Sequence, residues 1–118
     1  MYGVPNNLPI ERFLGDALFQ VGIGVDGVHF IFGKAGTISV SGRWELHDKG
    51  GKLIDYAQKN NERQSYQIHV ILNEEVSGHA IDAPRSFSLI FASGHRLTVY
   101  DDTPQYESFA IEPGGIVV

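Results

Sequence analysis

Phe19-Gln20-Val21-Gly22-Ile23-Gly24-Val25-Asp26-Gly27-Val28-His29-Phe30-Ile31-Phe32 is the stretch from which the fold is read. Phe19, Val21, Ile23 and Val25 alternate with Gln20, Gly22, Gly24 and Asp26, the period of a strand with one apolar and one small or polar face. Asp26-Gly27 is a two-residue turn signal, because Asp and Gly tolerate the positive φ that tight hairpins need. Val28, Phe30 and Phe32 then form the returning strand. Gly33 to Gly36 turns the chain once more, into a third strand over Thr37 to Ser41.

The same pattern returns further along the chain, a self-similarity that bears on fold before any other reading. Ile10, Phe13, Leu14, Gly15, Leu18 and Ile23 fall on Ile68, Ile71, Leu72, Asn73, Val76 and Ile81 at an offset of 58. At an offset of 59, Phe30-Ile31-Phe32 falls on Leu89-Ile90-Phe91, and Ile38 and Val40 fall on Leu97 and Val99. In both copies the leading apolar residues sit at i, i+3 and i+4 and are followed by Gly15 or Asn73, residue types suited to the left-handed end of a helix. Pro9 suits a helix start. The expected fold is therefore α+β: two helix-strand-strand-strand units, about 8–46 and 66–111, forming a mainly antiparallel curved sheet or half-barrel with two short helices. One domain, 1–118, is expected, with a polar linker at about 47–65 in which Leu53 and Ile54 form a brief strand.

Composition narrows the function classes. With 42% apolar and 19% charged residues the chain has the balance of a folded domain, and with no cysteine it has no disulfide or thiolate chemistry. Fourteen acids against nine Lys and Arg give a net charge of −5, which disfavours a nucleic-acid partner and favours a basic protein. No run has the length of a membrane span, and Met1 to Ile10 has neither the basic start nor the apolar stretch of a signal peptide, so a cytoplasmic setting is expected.

Chemical motifs are sparse. Gly22-x-Gly24-x-x-Gly27 has the spacing of a dinucleotide fingerprint, but a strand follows it where that motif requires a helix N-terminus, so no cofactor is expected. His29, His47, His69, His79 and His95 form no helical i, i+4 pair and no compact cluster with carboxylates, so no metal is expected either. The most distinctive segment is Tyr100-Asp101-Asp102-Thr103-Pro104-Gln105-Tyr106-Glu107-Ser108-Phe109, acidic and free of Lys and Arg. Consecutive Asp101 and Asp102 on an extended chain point to opposite faces and chelate poorly. A turn capped by Asp102 or Thr103 ahead of Pro104 is the structural reading. Tyr106-Glu107 parallels Trp44-Glu45 at the corresponding exit of the third strand.

Met1-Tyr2-Gly3, the Ser41 to Leu46 stretch with its Trp44-Glu45-Leu46 core, the Tyr100 to Ile111 run and the closing Ile116-Val117-Val118 together resemble a family of small bacterial proteins of unknown function. Thr103-Pro104 departs from the Ser and polar residue more usual there. The resemblance covers nearly the whole chain and implies a stand-alone bacterial domain, similar in general character to toxin-neutralising immunity proteins. No catalytic residue is implied.

The leading functional expectation is thus a non-enzymatic protein-binding domain that covers a basic effector. Trp44, Tyr100 and Tyr106 would be aromatic anchors, and Glu45, Asp101, Asp102 and Glu107 would pair with partner cations. Two alternatives stand beside it. One is a small-ligand protein or enzyme with a pocket between the two units lined by His29, His95 or Glu107. The other is a homodimer formed through exposed sheet edges.

Overall fold

The computed structural model describes residues 3–25, 27–101 and 108–118. Ten strands are described: β1 (Leu18–Ile23), β2 (Val28–Phe32), β3 (Thr37–Val40), β4 (Trp44–His47), β5 (Leu53–Tyr56), β6 (Val76–Asp82), β7 (Ser86–Phe91), β8 (Arg96–Tyr100), β9 (Phe109–Glu112) and β10 (Ile116–Val117). They form two five-stranded antiparallel sheets, ordered β1-β2-β3-β9-β10 and β5-β4-β8-β7-β6. Each sheet joins three consecutive strands of one half of the chain to a two-stranded hairpin from the other half. Val40 pairs with Phe109 where β3 meets β9, and Val99 pairs with Trp44 where β8 meets β4.

This architecture corrects the α+β expectation. The described residues contain no α-helix, and Ile10–Phe13 and Ile68–Ile71 are single 3₁₀ turns. Their closing bonds run from Leu14 N–H to Glu11 O and from Leu72 N–H to His69 O, both 3.1 Å and both spanning three residues. Ile10, Phe13, Ile68 and Ile71 are buried, whereas Leu14 and Leu72 are 45% and 40% exposed. A 3₁₀ turn aligns positions i and i+3 and swings i+4 away, and four residues are too few to repay α-helix nucleation. Gly15 and Asn73 do adopt left-handed backbone, at φ +80 and +66. They turn the chain directly into β1 and towards β6.

The brief strand expected at Leu53 and Ile54 is present as β5, and it pairs with β4 to make the hairpin that completes the second sheet. There is no half-barrel with an open lumen: the inner faces of both sheets share one apolar core. Phe30 on β2 meets the Trp44 indole of β4 edge-on at 6.0 Å, and Phe87 on β7 meets Phe109 of β9 at 4.9 Å, so aromatic rings bridge the sheets at both places where a hairpin crosses over. Such pairs contribute about 1 kcal/mol each beyond the area they bury.

Polar groups also fix the turns of each half. Asp16 accepts the N–H groups of Lys34 and Ala35 at 2.8 and 2.6 Å, fixing the β2–β3 turn, and Glu74 accepts Ser93 N–H at 3.0 Å in the β7–β8 turn. Partial burial pushes the Asp16 carboxyl up, but the N–H donors of Ala35, Lys34 and Ala17 and the Lys34 charge together hold it below the usual carboxylate range. Asp55 on β5 accepts the N–H groups of Gln67 and Ile68 and a hydrogen bond from the buried Arg63 guanidinium, which lies 3.9 Å over the Tyr66 ring. These contacts hold the 3₁₀ turn at Ile68 against the hairpin. No helix among the described residues is long and apolar enough to cross a membrane.

Gly36 marks where the β2–β3 turn meets β9. Its φ is +125, and a Cβ there would lie 1.8 Å from Glu112 O. That contact is with backbone and no rotamer relieves it, so Gly36→Ala is expected to cost about 2–4 kcal/mol. Gly51, at φ +89 with nothing within 4 Å of the place a Cβ would take, is the control. Gly51→Ala is expected to cost only ~1–2 kcal/mol, the left-handed penalty alone, when both variants are unfolded in urea.

Candidate functional site

The outer face of the second sheet is built by simple alternation. On β4, Trp44 and Leu46 enter the core and Glu45 and His47 face out; on β8, Leu97 and Val99 enter and Arg96, Thr98 and Tyr100 face out. Ser86, Ser88 and Ile90 of β7 continue the outer face. His47, Ser86, Ser88, Ile90, Arg96, Thr98 and Tyr100 of this face, with Asp82 at the end of β6 and Asp48, Lys49, Gly51, Arg85 and Gly94 from the flanking turns, line a cavity of about 610 Å³. Its floor is unusual for a solvent face. Ser88 and Thr98 are only 3% and 7% exposed, because longer neighbours rise around them, and their hydroxyls hydrogen-bond each other at 2.9 Å.

At the Tyr100 edge of the cavity stands a prearranged ionic cluster. The Tyr100 hydroxyl donates to Glu45 Oε1 at 2.9 Å, and Arg43 donates to Glu45 Oε2 at 3.0 Å while its guanidinium lies 4.2 Å over the Tyr100 ring. His47 Nε2 stands 3.9 Å from Glu45 Oε1. Burial pushes the Glu45 carboxyl up, but the hydrogen bonds from Arg43 and Tyr100 and the charges of Arg43 and His47 outweigh it, and Glu45 sits below its ordinary range. The Tyr100 phenol moves the other way, raised by burial and then by the Glu45 hydrogen bond and charge. A lowered Glu45 means that the stabilisation its charge provides is present above the unfolded-state pKa and is lost as pH falls through the folded one.

The residues singled out from the sequence are distributed unevenly. Glu45 and Tyr100 meet in this cluster. Trp44 is 2% exposed and packs on Phe30, so it is a core residue and corrects the aromatic-anchor reading. Asp101 is 8% exposed; its carboxylate accepts Gly3 N–H and, at 2.9 Å, the Ser108 hydroxyl. It ties the two ends of the 102–107 segment together, a structural task in place of a partner contact. Asp102, Tyr106 and Glu107 lie outside the described residues, as does the capping turn at Asp102 or Thr103. The expected equivalence of Tyr106-Glu107 with Trp44-Glu45 is superseded by the pairing register: Phe109 and Ala110 occupy the places on β9 that Trp44 and Glu45 occupy on β4.

His29 and His95 do not converge. His29 Nδ1 shares a hydrogen bond with Ser39 Oγ at 2.7 Å on the outer face of the first sheet, and His95 Nδ1 does so with Ser93 Oγ at 2.7 Å in the β7–β8 turn. Neither imidazole has a carboxylate partner among the described residues. Nor do those residues include a group of three His, Asp or Glu side chains placed to hold a metal ion.

Sequence reasoning does not find Arg43, His47, Ser88, Arg96 and Thr98 as site residues. Their signal is the alternation of polar side chains on β4, β7 and β8, which becomes a constellation only once β4 is known to pair with β8 across about fifty positions.

Two measurements check this geometry. The protein has one tryptophan. With Trp44 in the core, its emission is expected to be blue-shifted and nearly insensitive to acrylamide in the folded protein, and to become quenchable on unfolding. Tyr100 is expected to ionise above the ordinary phenol range in the 295 nm difference titration between the native protein and Tyr100→Phe. In a Glu45→Gln background that ionisation is expected to move down, because the carboxylate charge is gone while burial remains.

In comparisons with protein-family models, curated proteins and solved structures, nothing matches this chain.

Proposed function

We propose that this chain is a non-enzymatic protein-binding domain of the immunity type, acting in the cytoplasm on a basic effector protein. The observation that carries this reading is the cluster of Arg43, Glu45 and Tyr100: an Arg and a Tyr, the side chains that most often anchor interfaces, held in one geometry by a shared carboxylate. Holding them so before docking removes part of the ordering cost that association otherwise carries. The cluster stands at the end of the outer face where β8 gives way to 101–107, the stretch that supplies Asp102, Tyr106 and Glu107 without a single Lys or Arg. The net charge of −5 adds long-range attraction to a basic partner. Trp44 and Asp101 drop out of the docking set, because core packing and the Ser108 tie employ them. The docking set is Tyr100, Arg43 and Glu45 with Asp102, Tyr106 and Glu107.

Native mass spectrometry of the protein isolated from its own cells tests this. The expected result is a retained protein partner that dissociates as salt is raised. It is also expected to be lost from Asp102→Lys/Glu107→Lys with the thermal midpoint little changed. A small molecule or a metal ion in place of a protein, or a partner that stays bound to the charge-reversed variant, overturns the reading.

A further inference from the structure

The outer face of the second sheet is charged differently at its two ends. Tyr100 and Arg96 lie at opposite ends of β8, about 13 Å apart at ~3.3 Å per residue. At the Arg96 end, His47 is the residue directly opposite Arg96 on β4, and Lys49 lies two positions beyond it in the β4–β5 turn. Arg96 and Lys49 thus bring two cationic side chains to the same end of the face, with the His47 imidazole between the strand and the turn. Neither Arg96 nor Lys49 forms an ion pair among the described residues.

The nearby acids are engaged elsewhere. Glu45 is bound by Arg43 and Tyr100, Asp48 Oδ1 accepts the N–H groups of Gly50 and Lys52 at 2.9 Å each, and Asp82 pairs with Arg85 at 3.4 Å. Lys49 is also held in position. A Cβ on Gly94 would lie 2.8 Å from Lys49 Cγ, so the missing side chain lets the Lys49 stem lie against the β7–β8 turn. Beside these cations lie the buried Ser88 and Thr98 hydroxyls. The first sheet provides an internal contrast: Thr37 stands where Arg96 stands and Glu112 where His47 stands, as their pairing shows.

We infer that the Arg96 end of this cavity is an oxyanion-binding site, in which Arg96 and Lys49 neutralise a phosphate or carboxylate group beside the Ser88–Thr98 hydroxyl pair that lines the same cavity. The inference rests on this face being a binding surface and names the chemistry of one of its subsites. Arg96 supplies a planar fork of donors and Lys49 a point charge, the combination suited to a group with two or three equivalent oxygens.

The test is a titration of the isotope-labelled full chain with inorganic phosphate and, separately, with triglutamate, read from the amide shifts of Ser88, Arg96 and Thr98. Saturable binding of either is expected, and which of the two binds assigns the oxyanion to phosphate or to protein carboxylates. Arg96→Gln and Lys49→Gln are each expected to weaken binding roughly tenfold or more, and Lys52→Gln, outside the cavity, to leave it unchanged. All three positions are exposed, so the variants are expected to fold. No saturable binding of either anion, or equal binding by all variants, overturns the inference. The titration uses no partner protein. A negative result together with a retained effector removes the oxyanion subsite alone, whereas loss of both removes the binding-face reading as well.

Discussion

Four backbone hydrogen bonds at one crossing hold the two halves of the chain in register. Gly15 N–H donates to Val76 O and Asn73 N–H to Leu18 O, both 2.8 Å, while Leu18 N–H donates to Glu74 O at 3.1 Å and Val76 N–H to Asp16 O at 3.0 Å. Each bond has a counterpart with the roles of the halves reversed. The exchange requires the chain to turn left-handed just before it, which Gly15 and Asn73 do. Everything downstream inherits this symmetry. A register irregularity falls between Leu18 and Gln20 on β1 and between Val76 and Gly78 on β6, and each half lends its terminal hairpin to the sheet of the other. A one-residue slip at the crossing would turn both inner faces outward, so the core and the crossing enforce each other.

The parts of this arrangement legible in the sequence are those whose signals are local. The alternation from Phe19 to Val25 announces β1 but not its facing, since Phe19, Ile23 and Val25 are 75%, 47% and 82% exposed while Leu18 enters the core. The paired strands end at Ile23 and Val28, on either side of Asp26, which lies outside the described residues. Strands β2, β3, β7 and β8 follow from runs such as Phe30-Ile31-Phe32 and Leu89-Ile90-Phe91. The turn before β1 imitates a helix because Ile10, Phe13 and Leu14 fit one on spacing alone. Only burial separates the cases: Phe13 enters the core and Leu14 does not. The brief strand at Leu53 and Ile54 is legible and appears as β5, but the hairpin it makes with β4 is not, for a different reason. Its strands are four residues each, and its reason to exist is the open edge of β8, which no local pattern announces.

The candidate site divides along the same line. Glu45 and Tyr100 stand out in the sequence for acidic and aromatic character, and they meet across 55 positions of it. Trp44 shares that aromatic character but has the opposite facing to Glu45, since neighbours on a strand point to opposite sides. One residue's difference in position thus separates a core indole from a rim carboxylate. Asp101 shows how a polar residue in a distinctive motif can be structural: Gly3 N–H donates to one of its oxygens and the Ser108 hydroxyl to the other.

Because the two sheets answer to the same packing demands on their inner faces, their outer faces are where they are free to differ. The hydroxyl pair Ser88–Thr98 corresponds to His29–Ser39, with the same cross-strand placement on both sheets. Around that shared centre the first sheet carries Ala110 opposite Ser39 and Glu112 opposite Thr37, where the second carries Glu45 opposite Thr98 and His47 opposite Arg96. None of these replacements alters a core contact. Burying two hydroxyls at the floor and raising a ring of ionic side chains around them lowers local solvation and strengthens the field inside the cavity. A surface shaped this way holds charged groups in fixed positions before any partner arrives, and it does so on one sheet only.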